Sequence, residues 1–440
     1  MNYQETLTYL YEQLPMFTRD GASAFKKDLT NTIKLCAYLG NPQGKIRTIH
    51  IAGTNGKGST SHFLSAIMQT AGYKTGLYTS PHIKDFRERI KVNGDMCTEQ
   101  FVVDFVEKIK PALADIQPSF FEITVAMAFE YFAQEKVDIA VIETGLGGRL
   151  DSTNIIRPEL SVITNIGLDH TDLLGNTLEL IAGEKAGIIK SNIPVVIGEH
   201  IPETLPVFSQ KAEEMHAPIS LAQDHWKILS TLSSPESLQL EVEHIDSKQN
   251  YTFNLDLTGI YQQANLITVL ESCHQLSQLG WKTDMDTVQK AASNVKQLTQ
   301  LHGRWEVLER DPYLIVDVGH NKNGMREITR SLQNINYQQL YIICGFVKDK
   351  DVAAALDILP PNAQYIYTQA HLPRALPVNE LAAIGEQLNR KGSAFDNVNE
   401  AIAHAKCLAN KNDVILICGS FFVISEIEGY NIVAPKQNAI

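Results

Sequence analysis

Short runs of β-branched and other apolar residues alternate along the chain with stretches in which apolar positions recur every three or four residues. Arg47 to Ala52, Val137 to Glu143, Leu160 to Asn165 and Pro194 to Gly198 read as strands. They are apolar almost throughout rather than at every second position, which predicts strands covered on both faces, as in a parallel sheet. Ser59 to Ala71 places Phe63, Leu64, Ile67, Met68 and Ala71 on one helical face, and Glu122 to Gln134 and Leu178 to Ile189 follow the same period. Strands alternating with helices predict an α/β fold.

The pattern changes between Ala222 and Leu257, where polar and apolar residues alternate and Ser-rich turns intervene. Antiparallel strands in a peripheral sheet are expected there, followed by a helix over Gln262 to Leu279. Beyond Leu301 the α/β alternation resumes. Tyr313 to Val318, Leu340 to Cys344, Gln364 to Thr368 and Val414 to Cys418 are strand-like, and each of the first three precedes a helical segment. A join around Lys296 to Gly303 divides the chain into residues 1–299 and a smaller α/β unit, 300–440. No internal repeat, heptad run or low-complexity segment interrupts this plan.

Composition sharpens the picture by exclusion. With 44% apolar and 20% charged residues the chain can build real cores. No run reaches the roughly eighteen apolar residues that a membrane span needs, and the opening MNYQETLTYLYEQL has no basic region, apolar block or cleavage site. A cytoplasmic protein without a membrane partner is expected. Six cysteines lie scattered, with no CxxC pair, and read as buried, reduced thiols. Fifty carboxylates against 38 Lys and Arg, a net charge of -12, argue against nucleic acid as a partner.

Candidate chemistry gathers where strands end. Gly53-Thr54-Asn55-Gly56-Lys57-Gly58-Ser59 stands between a predicted strand and helix. Glycines let the backbone turn its N–H groups inward, the helix N-terminus adds its positive end, and Lys57 can reach nucleotide phosphates. Ser59 would lie near a phosphate-bound Mg²⁺. The run departs from the general phosphate loop because Gly58 separates Lys57 from Ser59. Glu143 closes another strand at the same sheet edge, where a carboxylate on that Mg²⁺ is the natural role, although strand-end acids also cap helices and pair with cations. His170, in GLDHT, ends a third strand and is a candidate for a second Mg²⁺, although a lone His is often structural. Lys185, on spacing alone, reads as a solvated helix lysine.

Several motifs occur together in one order: GTNGKGS, TSPH with FRERI, ETGLGGRLDSTN, GLDHT, EKAGI, HGR, DVGHN and a final GS. The combination resembles the folylpolyglutamate synthases and dihydrofolate synthases of the Mur ligase superfamily, over almost the whole chain. The resemblance implies a P-loop-containing, Mur-ligase-like parallel-sheet domain followed by a smaller Rossmann-like α/β domain. It implies ATP-dependent ligation of L-glutamate to a folate or dihydropteroate through an acyl phosphate, with two Mg²⁺ ions, in a monomer.

Roles carry over position by position. Thr54, Asn55, Gly56, Lys57, Gly58 and Ser59 would hold ATP phosphates. Asn265 resembles the adenine contact, and Arg304 and Asp317 match ATP residues of the smaller domain. Ser80 and Glu143 resemble ligands of one Mg²⁺ and His170 of the other, beside Lys185 as an N-carboxylated lysine. Ser119, Phe120, Phe121, Glu122, Leu150, Asp151 and Ser152 match segments that contact the pteroate. His320 and Ser420 match positions near the incoming glutamate, with His320 as base or orienter. The family commonly has Pro where His302 stands and Ala where Leu266 stands. Two other readings share parts of the pattern: a Mur-type ligase adding an amino acid to a nucleotide-linked cell-wall precursor, and a P-loop NTPase switch.

Overall fold

The computed structural model describes residues 1–16 and 28–430. Its first sheet contains β1 (Thr48–Ala52), β2 (Thr75–Tyr78), β3 (Ile90–Val92), β4 (Asp95–Met96), β5 (Ile139–Glu143), β6 (Leu160–Ile163), β7 (Val195–Ile197) and β8 (Ile219–Leu221). They lie in the order β4-β3-β2-β5-β1-β6-β7-β8. From β2 to β8 all neighbours are parallel, and β3 and β4 extend the β2 edge antiparallel. Every residue of β1, β5 and β6 is buried, as their unbroken apolar runs predict.

The helix after β1, Lys57–Thr70, differs from the expected one-faced helix. It starts two residues earlier, ends before Ala71, and is buried from Gly58 to Met68 all the way round. The sheet covers one side of it, and the Gln262–Gln278 and Met285–Ala292 helices cover the other. The helix that presents the phosphate loop is thus the centre of a core rather than its surface.

The antiparallel strands expected between Ala222 and Leu257 are β9 (Trp226–Ser234), β10 (Ser237–His244) and β11 (Gln249–Leu255), preceded by one helical turn at Ala222–His225. This sheet is not merely peripheral. Leu238, Leu240 and Val242 alternate inward with Phe253 and Leu255 and complete the core around the Gln262–Gln278 helix. Buried Glu271 fastens it, accepting from Trp226 Nε1 at 3.0 Å, Ser220 Oγ at 2.6 Å and Gln275 Nε2 at 2.8 Å.

The last sheet, β12 (Glu306–Glu309), β13 (Tyr313–Val316), β14 (Leu340–Cys344), β15 (Gln364–Thr368), β16 (Gly392–Phe395) and β17 (Val414–Cys418), has the order β12-β13-β17-β14-β15-β16. All pairs are parallel except β12–β13. Separate apolar clusters cover its two faces. Five cysteines are buried as expected, but Cys407 is exposed. Among the described residues no helix is long and apolar enough to cross a membrane.

Glu271 gives the fold a direct test. Glu271→Ala opens a cavity and strands the Trp226 and Ser220 donors, each worth about 1–3 kcal/mol when left unpaired. Thermal denaturation should show a Tm several degrees lower, whereas removal of Glu243, on the same small sheet, should change it little. An unchanged Tm for Glu271→Ala would mean the carboxylate does not fasten the sheet.

Candidate active site

The carboxyl ends of β1, β5 and β6 face those of β13 and β17 across a cleft, as open parallel sheets place their sites. One cavity of about 340 Å³ is lined by Thr54 to Ser59, Ser80, Glu143, Asn265, Arg304, Asp317 and His320. A second, of about 250 Å³, is lined by Ser80, Ser119 to Glu122, Leu150 to Ser152, His170, His320 and Ser420. The two share Ser80, Pro81, His320 and Phe421. Of the expected residues, Lys185 lines neither; it lies 3% exposed behind the loop.

The loop's backbone dictates its glycines. Gly56 has φ +81°, and a Cβ there would stand 2.3 Å from Asn265 Oδ1. At Gly58 a Cβ would meet Arg304 Nη2 at 3.2 Å and Glu143 Oε2 at 3.9 Å. The glycine that breaks the general phosphate-loop pattern is therefore where an arginine of the second sheet's domain approaches. The Arg304 guanidinium lies 5.1 Å over the Phe421 ring. Lys57 Nζ donates to Gly53 O at 3.0 Å and Thr54 O at 3.2 Å, and Asn55 N donates to Asn165 Oδ1 at 2.9 Å. Ser59 Oγ accepts from Gln262 Nε2 at 3.1 Å, and Asn265 Nδ2 donates to Gln262 Oε1 at 2.7 Å.

Burial dominates the charges. Glu143 is 4% exposed, it accepts a hydrogen bond from Ser80 N at 3.3 Å, and burial pushes it up to about 7 despite Lys57 and Arg304 nearby. A buried, under-bonded carboxylate is a hard-oxygen donor that suits a divalent cation with Ser80 beside it. Burial also lowers Lys57, and it lowers Lys185 to about 7 with help from Lys57. Lys185 Nζ donates to Gly53 O at 2.8 Å. The solvated lysine that its spacing suggested is instead a buried amine, neutral enough near pH 7 to react with CO₂.

Around His170 the arrangement is denser than expected. Lys350 Nζ lies 2.5 Å from Asp169 Oδ1 and 3.5 Å from His170 Nε2. Burial lowers His170 to about 3, so its ring is neutral. Against the pull of burial, His320 and Lys350 hold Asp169 well below the usual carboxylate range. Asn321 Nδ2 donates to Asp169 Oδ2 at 3.0 Å and to Asn55 Oδ1 at 3.1 Å. His320 Nδ1 donates to Val318 O at 3.0 Å, which leaves Nε2 facing Asp169 Oδ2 at 3.7 Å. Among the described residues no three His, Cys, Asp or Glu side chains converge as a metal cluster.

Several residues expected to touch ligands have their polar atoms committed to the chain. Ser119 and Glu122 form a capping box, with Glu122 Oε2 accepting from Ser119 N at 2.7 Å. Asp151 accepts from Gly145 N at 2.8 Å, Leu146 N at 2.9 Å and Thr153 N at 3.0 Å, and so shapes the loop after β5. Asp317 accepts from Tyr261 OH at 2.6 Å, Trp305 N at 2.9 Å and Gly319 N at 2.8 Å. Ser420 Oγ caps the turn at Phe422 N, 3.1 Å away. Phe120, Phe121 and Leu150 offer apolar surface. His302 pairs with Glu306 at 2.9 Å beside a small cavity that Gly58, Glu143 and Arg304 also line, whereas Leu266 is fully buried in the core.

Residues 51–273 match the Mur ligase middle domain and residues 303–421 the Mur ligase, glutamate ligase domain. A dihydrofolate synthase/folylpolyglutamate synthase of Bacillus subtilis is 34% identical, covering 97% of this chain and 98% of the relative. A folylpolyglutamate synthase of Lacticaseibacillus casei is 32% identical over 97% of this chain and 98% of its own. Among solved structures, Mycobacterium tuberculosis folylpolyglutamate synthase complexed with ADP and AMPPCP superposes with a TM-score of 0.85 at 29% identity, covering 97% of this chain and 98% of that one. The Escherichia coli FolC complex with DHPP and ADP gives a TM-score of 0.83 at 29% identity, over 97% of this chain and 96% of that one.

The raised Glu143 carries a pH signature. Its pKa rises from 4.5 to about 7 on folding, so the folded chain holds that proton more tightly than the unfolded one. Stability therefore falls as pH rises through this window, and the loss is complete once the folded group has ionised. Glu143→Gln keeps the shape and removes the charge. In thermal denaturation without ligands it should raise Tm by a few degrees at pH 8, with a gain that shrinks towards pH 5. An equal gain at both pH values, or a loss at pH 8, would contradict the assignment.

Proposed function

The chain belongs to the folylpolyglutamate synthase and dihydrofolate synthase branch of the Mur ligase family, and we propose that it joins L-glutamate to a folate or dihydropteroate carboxylate at the expense of ATP. The observation that carries this reading is the meeting of two cavities at Ser80, Pro81, His320 and Phe421. The polar one is built to hold a nucleotide; the other, with Phe120, Phe121 and Leu150, is built to hold a flat, largely apolar acceptor.

ATP lies with its phosphates on the Thr54 to Ser59 loop and its base towards Asn265. Lys57 leaves the loop carbonyls for the phosphate oxygens, and Arg304 approaches over Gly58 from the smaller domain. The acceptor carboxylate attacks the γ-phosphorus at the junction, ADP leaves, and the resulting acyl phosphate is shielded between the domains. The amine of glutamate, reaching the acyl carbon near His320, expels phosphate. With Nδ1 anchored on Val318 O, His320 turns Nε2 to that amine and either orients it or takes its proton.

Glu143 and Ser80 would hold one Mg²⁺, and His170 with a carbamylated Lys185 a second. Bound there, the ions neutralise charge on the transferring phosphoryl group. Ser420 and Lys350 line the second cavity, and Ser420 would face the incoming glutamate. The protein acts as a monomer in the cytoplasm.

Phosphate release with ATP, Mg²⁺ and glutamate tests the proposal. Both tetrahydrofolate and dihydropteroate should support it, a nucleotide-linked cell-wall precursor should not, and Lys57→Ala should reduce it at least a hundredfold with the fold intact by circular dichroism. Turnover with the cell-wall precursor, or acceptor-independent ATP hydrolysis at the full rate, would contradict it.

A further inference from the structure

One cation of the second cavity has no carboxylate partner among the described residues. Arg89 ends the short Phe86–Arg89 helical turn, is 6% exposed, and lines the acceptor cavity. Its Nε donates to His82 Nδ1 at 2.7 Å and its guanidinium lies 5.4 Å over the Phe120 ring. Among the described residues no carboxylate forms an ion pair with it.

The nearby acids are committed elsewhere. Asp85 forks Arg87 through 3.0 Å and 2.7 Å contacts. Glu88 accepts the backbone N–H groups of Ile83 at 2.9 Å, Lys84 at 2.7 Å and Asp85 at 2.5 Å. The hydrogen-bond partner that Arg89 does have, His82, is neutral, because burial and Arg89 itself push its pKa well down. Leaving a guanidinium buried without an opposite charge costs several kcal/mol, and a ligand carboxylate entering the cavity would remove that cost.

Geometry says which carboxylate. The reacting one must reach the junction at Ser80 and His320, which both cavities share; Arg89 lines the acceptor cavity alone. A folate acceptor ends in glutamate and carries an α-carboxylate beside the γ-carboxylate that reacts, whereas dihydropteroate has a single carboxylate, the reacting one. Resting on the ligase reading above, we propose that Arg89 binds the non-reacting α-carboxylate of a glutamylated acceptor and so favours chain extension over the first glutamate addition.

The test compares tetrahydropteroylglutamate with its α-amide, in which the γ-carboxylate stays free, on the wild-type protein and on Arg89→Gln. Loss of a charge-assisted pair corresponds to roughly ten- to hundredfold, so the wild type should show a KM for the acid lower by that factor, at similar kcat. In Arg89→Gln the acid should lose this advantage and the amide should be unaffected. Arg89→Lys should keep part of the preference.

A gap that persists in Arg89→Gln, or a KM that rises equally for acid and amide as a merely structural role would give, overturns the assignment. If Arg89→Gln does not fold, the wild type decides: equal KM values for acid and amide overturn the assignment while leaving the ligase reading intact. A wild type that turns over neither acceptor overturns both.

Discussion

The site exists because one carboxylate holds the two domains face to face. Asp169 stands at the end of the loop after β6; besides the neighbouring His170 N–H at 2.9 Å, Lys350 and Asn321 bond it and His320 Nε2 faces it at 3.7 Å, all three from the smaller domain. Asn321 then reaches Asn55 in the phosphate loop. An anion buried this far would be strongly destabilising if unpaired, so its three partners are constrained to arrive together. Arrival of these side chains brings with it the neighbouring DVGHN backbone and Arg304. The phosphate loop is thereby faced from the opposite domain across the cleft where the two cavities meet.

Burial also explains why a protein of net charge -12 can receive several anions. Many of its acids are internal fixtures. Asp151 and Asp317 are spent on backbone N–H groups, Glu122 on a helix cap and Glu271 on the small sheet. Some of the charged groups in and behind the cleft are themselves desolvated, which makes each of those count. Lys57, Lys185 and Glu143 are all pushed towards their neutral forms by burial. Such a site is unfavourable empty and is relieved when ATP and an acceptor carboxylate bind.

Much of this was legible in the sequence, for identifiable reasons. Strands buried on both faces write unbroken apolar runs, so β1, β5, β6, β14, β15 and β17 were readable. The antiparallel edge β3–β4 and the short β8 are too brief to leave a pattern, and the terminal helix Tyr3–Gln13 carries a mixed face. The loop, Glu143, Ser80 and His320 reach the cleft because residues at strand ends inherit the sheet's geometry. Lys185 misled, since a helix lysine looks solvated until the fold buries it. Ser119, Glu122, Asp151 and Asp317 lie in or beside the site, yet their oxygens bond the chain; S-x-x-E before an apolar run is itself a capping signature. Lys350 carried no signal of its own, and Asn321 and Arg89 stood inside the DVGHN and FRERI motifs without a role, because the importance of all three comes from residues far away in sequence.

The central claim is that the acceptor's own carboxylate attacks ATP where the two cavities meet. It is tested most directly by isotope transfer. With both oxygens of the reacting carboxylate labelled with ¹⁸O, the acyl phosphate route moves one labelled oxygen per turnover into the released phosphate, read by mass spectrometry or ³¹P NMR. Labelled phosphate in step with product is the predicted result. Unlabelled phosphate alongside full product formation would contradict the account.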